Sequence, residues 1–121
     1  MKVIIAGGRY FKPKKHHEDL LRALHKEYNF TEIFSGGAKG ADEFGEKFAS
    51  ENEIPVRKFP AKWAELGNRA GPIRNWEMAR EADAVILFSG GKGTASMRHH
   101  AMTREVEFLY DEDLRVSKKK S

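Results

Sequence analysis

The sequence predicts an α/β fold of three layers, with a four- to five-stranded parallel sheet carrying helices on both faces. Three observations lead there. Short apolar runs rich in β-formers recur at Lys2–Ala6, Glu32–Phe34, Ile54–Phe59 and Ala84–Phe88. Segments with apolar residues at helical spacing alternate with them, and such alternation is the signature of strand–helix–strand units on a parallel sheet. Two of the strand-to-helix junctions are glycine-rich, Ser35-Gly36-Gly37-Ala38-Lys39-Gly40-Ala41-Asp42 and Ser89-Gly90-Gly91-Lys92-Gly93-Thr94.

Taken in order, Lys2–Ala6 reads as a buried first strand, closed by the turn Gly7-Gly8-Arg9-Tyr10-Phe11 and the basic loop Lys12–Lys15. Leu20, Leu21, Leu24 and Tyr28 then share a helical face, with Glu18 and Asp19 in the first turn, where the helix dipole favours acids. After the strand Glu32–Phe34, the residues Ala41, Phe44, Phe48 and Ala49 form the clearest amphipathic stripe, ending near Asn52. Pro55 stands at the start of the third strand, where a missing N–H is tolerated. The stretch from Pro60 to Gly71 is the longest connection, with Trp63 and Leu66 in one helical turn and Trp63 and Trp76 as core or pocket wall. Gly71-Pro72 starts a helix whose inner face is Ile73, Trp76, Ala79 and Ala82. Ala84–Phe88 is the fourth strand, Met97, Ala101, Met102, Val106 and Leu109 line the last helix, and Leu114–Val116 is a candidate stub of a fifth strand. Residues 1–116 thus form one domain, and 117–121 a basic tail.

Bulk properties bound the function. A chain of 121 residues supports one core. There are no cysteines, which excludes disulfides and thiolate metal sites. His16-His17 and His99-His100 are neighbours, not an i, i+4 pair, so no metal and no cofactor is expected. The absence of cysteines fits a reducing cytoplasm, and no apolar run approaches the length of a membrane span, which points away from the membrane. The net charge of +4 favours anionic partners.

Right-handed crossovers bring every strand-to-helix turn to one edge of such a sheet, where ligands of these folds bind. The cations expected there are Arg9, Lys39, Arg69 and Arg74 ahead of the third helix, and Lys92. A cation at a helix N-terminus costs a few tenths to about 1 kcal/mol, so several of them beside two glycine turns point to an anion that reverses the sign. The N–H groups of a glycine turn and a helix start suit a phosphate. Neither turn is a P-loop or a G-x-G-x-x-G fingerprint. Ser35, Ser89, Thr94 and Ser96 offer hydroxyls or serve as turn residues; Asp42 caps its helix or holds ribose hydroxyls or Lys39; Asn75 caps or meets a sugar or base; Tyr10 and Phe11 stack on a base or pack over the loop.

Gly7-Gly8-Arg9-x-Phe11, Ser35 to Asp42, Gly71-Pro72-Ile73-Arg74-Asn75 and Gly90-Gly91-Lys92-Gly93-Thr94, in this order and spacing, resemble the YspA-related branch of the SLOG superfamily over about residues 1–109. The resemblance implies a Rossmann-like fold, a nucleotide or nucleotide-derived ligand such as ADP-ribose, and a homodimer. Lonely Guy phosphoribohydrolases are similar at Ser89–Thr94 and at Arg74, but where they carry a catalytic glutamate this chain has Met97. If the N-glycosidic bond is cleaved, Glu77 is the acid of the third helix nearest Arg74. DNA-processing protein A is similar at Ser35–Asp42 and Pro72–Asn75, which gives single-stranded nucleic acid as the alternative partner. Nucleoside deoxyribosyltransferases are similar only at Gly93-Thr94, and they too need an acid that is absent after it. The phosphate is expected on Gly90–Thr94 with help from Gly36–Gly40, and Arg74 as its clamp.

Overall fold

The computed structural model describes residues 1–114. Ten elements follow in order: β1 (Lys2–Ala6), α1 (Lys15–Tyr28), β2 (Glu32–Ser35), α2 (Ala41–Glu51), β3 (Val56–Lys58), α3 (Trp63–Leu66), α4 (Ala70–Glu81), β4 (Ala84–Leu87), α5 (Lys92–Thr103) and β5 (Glu107–Asp111). A 3-10 turn, Gly67–Arg69, joins α3 to α4. The strands form one parallel sheet in the order β3-β2-β1-β4-β5.

The order follows from which strands can be buried on both faces. β4 is buried at all of its positions and β1 at Val3, Ile4 and Ile5, and such uninterrupted apolar runs belong at the centre of a parallel sheet. Their pairing sets Val3 against Ala84 and Ala6 against Leu87. The alternation of side chains then divides the core in two. Val3, Ile5, Ile33 and Ile86 meet Leu21 of α1 and Phe44, Phe48 and Ala49 of α2. On the other face Ile4, Phe34, Val85 and Leu87 meet Met78 and Ala79 of α4 and Met97 and Ala101 of α5. This is the expected three-layer arrangement with β1 central.

The chain runs from β1 outward to β2 and β3, then returns to lay β4 on the other side of β1. The crossover directions diverge between β1 and β4, and the crevice at such a switch point is the ligand-binding position of open α/β sheets. Here the two turns that follow β1 and β4 touch: the Gly8 N–H donates to the Ser89 carbonyl at 2.9 Å.

The structure corrects the C-terminal part of the sequence reading. The last helix ends at Thr103, and the fifth strand is Glu107–Asp111, not Leu114–Val116. Leu109 therefore lies in a strand, Val106 precedes it, and Met102 is exposed. Leu114 falls in a helical turn after β5; Arg115, Val116 and the tail 117–121 lie outside the described residues. β3 is also shorter than Ile54–Phe59, and Trp76 faces solvent beneath the Arg80 guanidinium, 4.7 Å from its ring centroid. None of the helices of the described residues is long and apolar enough to cross a membrane.

Candidate functional site

A cleft of about 940 Å³ opens at this switch point. The turn after β1 supplies Gly7, Gly8 and Arg9; the β2–α2 turn supplies Gly36, Gly37, Lys39 and Asp42; α4 supplies Arg74 and Asn75; the β4–α5 turn supplies Ser89 to Thr94. Four cations expected on one edge, Arg9, Lys39, Arg74 and Lys92, thus border one cavity. Arg69 stays outside it, on the exposed 3-10 turn.

The two glycine turns differ in how their N–H groups are used. In the β2–α2 turn, Ser35 Oγ accepts the Gly37 N–H at 3.1 Å, Asp42 Oδ2 accepts that of Ala38 at 3.1 Å, and Glu43 Oε1 accepts that of Gly40 at 3.2 Å. The Ala41 N–H donates to the Gly8 carbonyl. Gly40 has φ 76°, and a Cβ there would strike the Gly8 carbonyl, so the backbone of one loop lies directly on the other. The β4–α5 turn behaves otherwise. Ser89 and Gly90 donate to Glu112 Oε2 and Asp113 Oδ2, both at 3.3 Å. The next N–H groups, of Gly91, Lys92, Gly93 and Thr94, have no acceptor among the described residues, and no side chain caps α5. The first bond of the helix is Ala95 N–H to the Gly91 carbonyl. Thr94 is only 4% exposed, yet its hydroxyl has no hydrogen-bond partner among the described residues. It lies against Gly90, where a Cβ would collide with it.

Arg74 sits inside α4 rather than ahead of it. Its Nε donates to Asn75 Oδ1 at 2.9 Å and its Nη1 to the Gly36 carbonyl at 2.8 Å, which uses two of the five donors of a guanidinium. Burial holds its pKa below the ordinary arginine value, opposed by the charge of Asp42. Asp42 is itself pushed up to about 6, chiefly by burial; the Ala38 N–H and the Arg74 charge pull it the other way. The site therefore pairs a fixed, desolvated cation with a carboxyl that titrates near neutrality.

Several sequence-predicted site residues are placed elsewhere. Ser35 is buried and donates to Glu46 Oε2, so it fastens the turn and does not reach the cleft. Gly40 is consumed by the contact with the β1 turn. Asn75 borders the cleft, but its amide donates to the Gly93 carbonyl and Ser96 Oγ, both at 3.3 Å, and so ties α4 to α5. Glu77 does not line the cleft; at 100° per residue it lies about 160° round the helix from Asn75. It pairs with neither Arg74 nor Arg80: Arg74 is held by Gly36 and Asn75, and Arg80 lies over Trp76. Phe11 is packed, stacking on Phe88 with centroids 4.9 Å apart, whereas Tyr10 stays exposed at the mouth. The sequence reading assigns Met97 to the lining of the last helix and gives Met78 no place on the inner face of its helix; both are buried and border the cleft.

One cluster has metal-ligand character: atoms of His16, His17 and Glu112 lie within 4.8 Å of one another. Its hydrogen bonds commit it to the fold. His17 Nδ1 accepts the Lys14 N–H at 3.0 Å, so Nε2 carries the proton and donates it to Glu112 Oε1 at 2.7 Å. Both ring nitrogens are spent.

A doubly wound parallel sheet with glycine turns meeting at its switch point is a Rossmann-like fold. Residues 1–65 match the YspA, cpYpsA-related SLOG family, and the chain belongs to that family. The Gene 61 protein of Mycobacterium phage D29 is 30% identical over 105 residues, covering 81% of this chain and 83% of the phage protein. The X-ray structure of TM1055, a structural genomics target, aligns with a TM-score of 0.62 at 25% identity, covering 84% of this chain and 68% of that one. Membership of this family suggests binding or processing of a nucleotide-related ligand.

Proposed function

We propose that the protein binds the phosphate of a nucleotide or ADP-ribose-like molecule at the N-terminus of α5. The observation that carries this is Thr94: a buried hydroxyl without a partner among the described residues, next to consecutive helix-start N–H groups that also lack one there. An unsatisfied buried polar group costs about 1–3 kcal/mol, and native structures retain such costs where something else is gained. A phosphate oxygen at this position accepts from the N–H groups, and from the hydroxyl once it turns from Gly90 toward the cleft that Thr94 borders, and its charge meets the positive end of the helix dipole. Lys92 at the first helical position, unfavourable there by itself, becomes favourable with the anion present. Arg74 supports the reading as a pre-positioned cation that borders the same cleft.

The reading is binding rather than glycosidic cleavage. Cleavage through an oxocarbenium-like state calls for a carboxylate beside the bond. Met97 stands where the resembled hydrolases carry that acid, Glu77 is outside the cleft, and Asp42 is the acid that borders it among the described residues. Asp42 is engaged by the Ala38 N–H, as a cap would be.

Thermal-shift measurements with AMP, ADP, ADP-ribose and inorganic phosphate test this, followed by chromatography of any stabilising compound. A ligand at 100 times its Kd stabilises by about 2.7 kcal/mol, several degrees for a domain of this size. Stabilisation by one or more nucleotides, recovered intact after incubation, is expected. No shift with any of them at millimolar concentration overturns binding, and release of free base overturns the non-catalytic reading.

A further inference from the structure

The phosphate reading leaves most of the cleft unexplained. A cavity of about 940 Å³ has room for a much larger group than a phosphate, and its lining includes the aromatic side chains of Trp63 and Tyr10. Trp63 opens α3, borders the cleft and is 59% exposed. The edge of its six-membered ring rests on the first turn of α4: a Cβ on Gly71 would stand 3.2 Å from Cη2. The indole is therefore backed by a buried glycine of a long helix while its remaining surface faces solvent. Tyr10, 86% exposed, borders the same cleft, with the Arg9 guanidinium 5.8 Å from its ring centroid. The chain has two tryptophans, and the other one, Trp76, lies outside the cleft with Arg80 over its face. Trp63 contributes little buried area to the fold where it stands, although burying an aromatic is among the largest single gains a side chain can make. Its position is explained by what it faces. An exposed aromatic face bordering a cleft of this size can serve as a stacking platform for a heterocyclic base, since every base has a π-face.

We infer that Trp63 is the platform on which the base of the ligand stacks, so that the cleft selects a nucleoside phosphate with its heterocycle attached over a sugar phosphate or inorganic phosphate. This rests on the phosphate site at α5 and adds what the Trp63 part of the same cleft recognises. The α5 turn fixes one end of the molecule, and the indole, held at its edge by Gly71, fixes the other.

Isothermal titration of AMP and of ribose 5-phosphate, into the wild-type protein and into Trp63→Ala and Trp63→Phe, tests it. Stacking of one base on one aromatic is worth roughly 5- to 100-fold in affinity. Wild-type protein should therefore prefer AMP by about that factor; Trp63→Ala should lose the preference while binding ribose 5-phosphate as before; Trp63→Phe should recover most of it. Because Trp63 is exposed, the variants should fold, and their melting curves check this. In a Trp76→Phe background, AMP should quench the remaining indole fluorescence and ribose 5-phosphate should not. Equal wild-type affinity for the two compounds, or an AMP preference that survives Trp63→Ala, overturns the platform and leaves the phosphate site standing. Binding of neither compound overturns the phosphate site, and the platform with it.

Discussion

The β2–α2 and β4–α5 turns look alike in sequence and are opposite in structure. Both join a buried strand to a helix through glycines and a lysine. In the first, Ser35, Asp42, Glu43 and the Gly8 carbonyl take up the N–H groups of Gly37, Ala38, Gly40 and Ala41. In the second, the N–H groups from Gly91 to Thr94 lead into a helix without a side-chain cap, and neither they nor the Thr94 hydroxyl beside them has a partner among the described residues. The difference lies in the polar residues after the glycines. Asp42 and Glu43 bring carboxylates back to their own turn, whereas Ala95, Ser96 and Met97 follow Thr94 and bring none. The carboxylates of Glu112 and Asp113 reach only the first two N–H groups of the second turn, those of Ser89 and Gly90, and leave the N–H groups from Gly91 to Thr94 without an acceptor among the described residues. A glycine turn is thus an anion site only where the chain leaves N–H groups unspent. The first turn is a clamp that holds Arg74 through the Gly36 carbonyl; the second is the surface on which a ligand lands.

The strongest way to break this contrast is to add one methyl group to each turn. At Gly40 a Cβ meets the Gly8 carbonyl and lies 2.7 Å from Arg9 backbone atoms, with φ at 76° and ψ at −118°, a region other residues scarcely enter. Gly40→Ala should cost about 3 kcal/mol or more, as strain and overpacking combine. At Gly93 a Cβ meets nothing within 4 Å, inside the first turn of α5. Gly93→Ala should leave stability unchanged or raise it by up to about 1 kcal/mol. Urea unfolding of the two variants checks this, and comparable losses in both would erase the distinction between clamp and landing surface.

Asp42 sharpens the same contrast through pH. Its carboxyl titrates at about 6 in the folded protein against 3.8 for an unperturbed aspartate. Because the folded pKa is raised, the folded state holds the proton more tightly, and stability falls as pH rises from about 4 to 6. The full difference is worth about 3 kcal/mol. Above pH 6 the protein carries this cost, which is already reduced by the Ala38 N–H and the Arg74 charge drawing the carboxyl pKa down. Asp42→Asn keeps an acceptor and removes the charge, so its stability relative to wild type should increase between pH 4.5 and 7.5. Parallel profiles for the two proteins would mean that Asp42 ionises normally.

Arg74 links the two turns, and its loss should show mainly in binding. Arg74→Ala removes a charge-assisted contact to the ligand, worth about 1.5–3 kcal/mol, or roughly 10- to 100-fold in affinity for AMP. Part of any stability change comes from the Gly36 carbonyl and Asn75 losing their partner. Arg74→Lys keeps charge without the planar fork and should recover only part of the affinity. Titration calorimetry that finds Arg74→Ala indistinguishable from wild type would remove Arg74 from the site.

How far the sequence revealed all this depended on the kind of signal. β1 and β4 are continuous apolar runs buried on both sides, and the strongly patterned α2 follows a glycine turn, so the centre of the sheet was legible. β5 was not. Glu107 and Asp111 bracket its apolar residues, Val106 and Leu109 continue the helical spacing of Met97 and Ala101, and α5 ends without a glycine because Glu105 takes the left-handed conformation at φ 56°. An edge strand packed on few neighbours leaves a weak pattern, and a non-glycine stop leaves no punctuation. In the site, the residues bordering the cleft could be named from their motifs because topology gathers every strand-to-helix turn on one edge. Which N–H groups were already spent, and that Asn75 and Ser35 serve neighbouring segments, depends on side-chain partners such as Ser96 and Glu46, which no local pattern announces.

The smallest expected effect is also the one that separates landing surface from clamp most cleanly, because it has opposite signs in two assays. Thr94→Val removes the hydroxyl and keeps the shape. Where a buried polar group is satisfied by the protein, this substitution costs stability; the hydroxyl of Thr94 has no partner among the described residues, so here it should help. Removing an unsatisfied buried hydroxyl should stabilise the ligand-free protein by about 1 kcal/mol, or a few degrees in Tm. The same change deletes a donor to the phosphate and should weaken AMP binding by about 1 kcal/mol, near 5-fold. A structural threonine gives a loss of stability with affinity untouched, and an inert one gives no change in either. Only a hydroxyl kept for a ligand gives a gain in melting temperature together with a loss in affinity. A variant that melts lower than wild type while binding AMP equally well would show that the N-terminus of α5 is one more part of the frame.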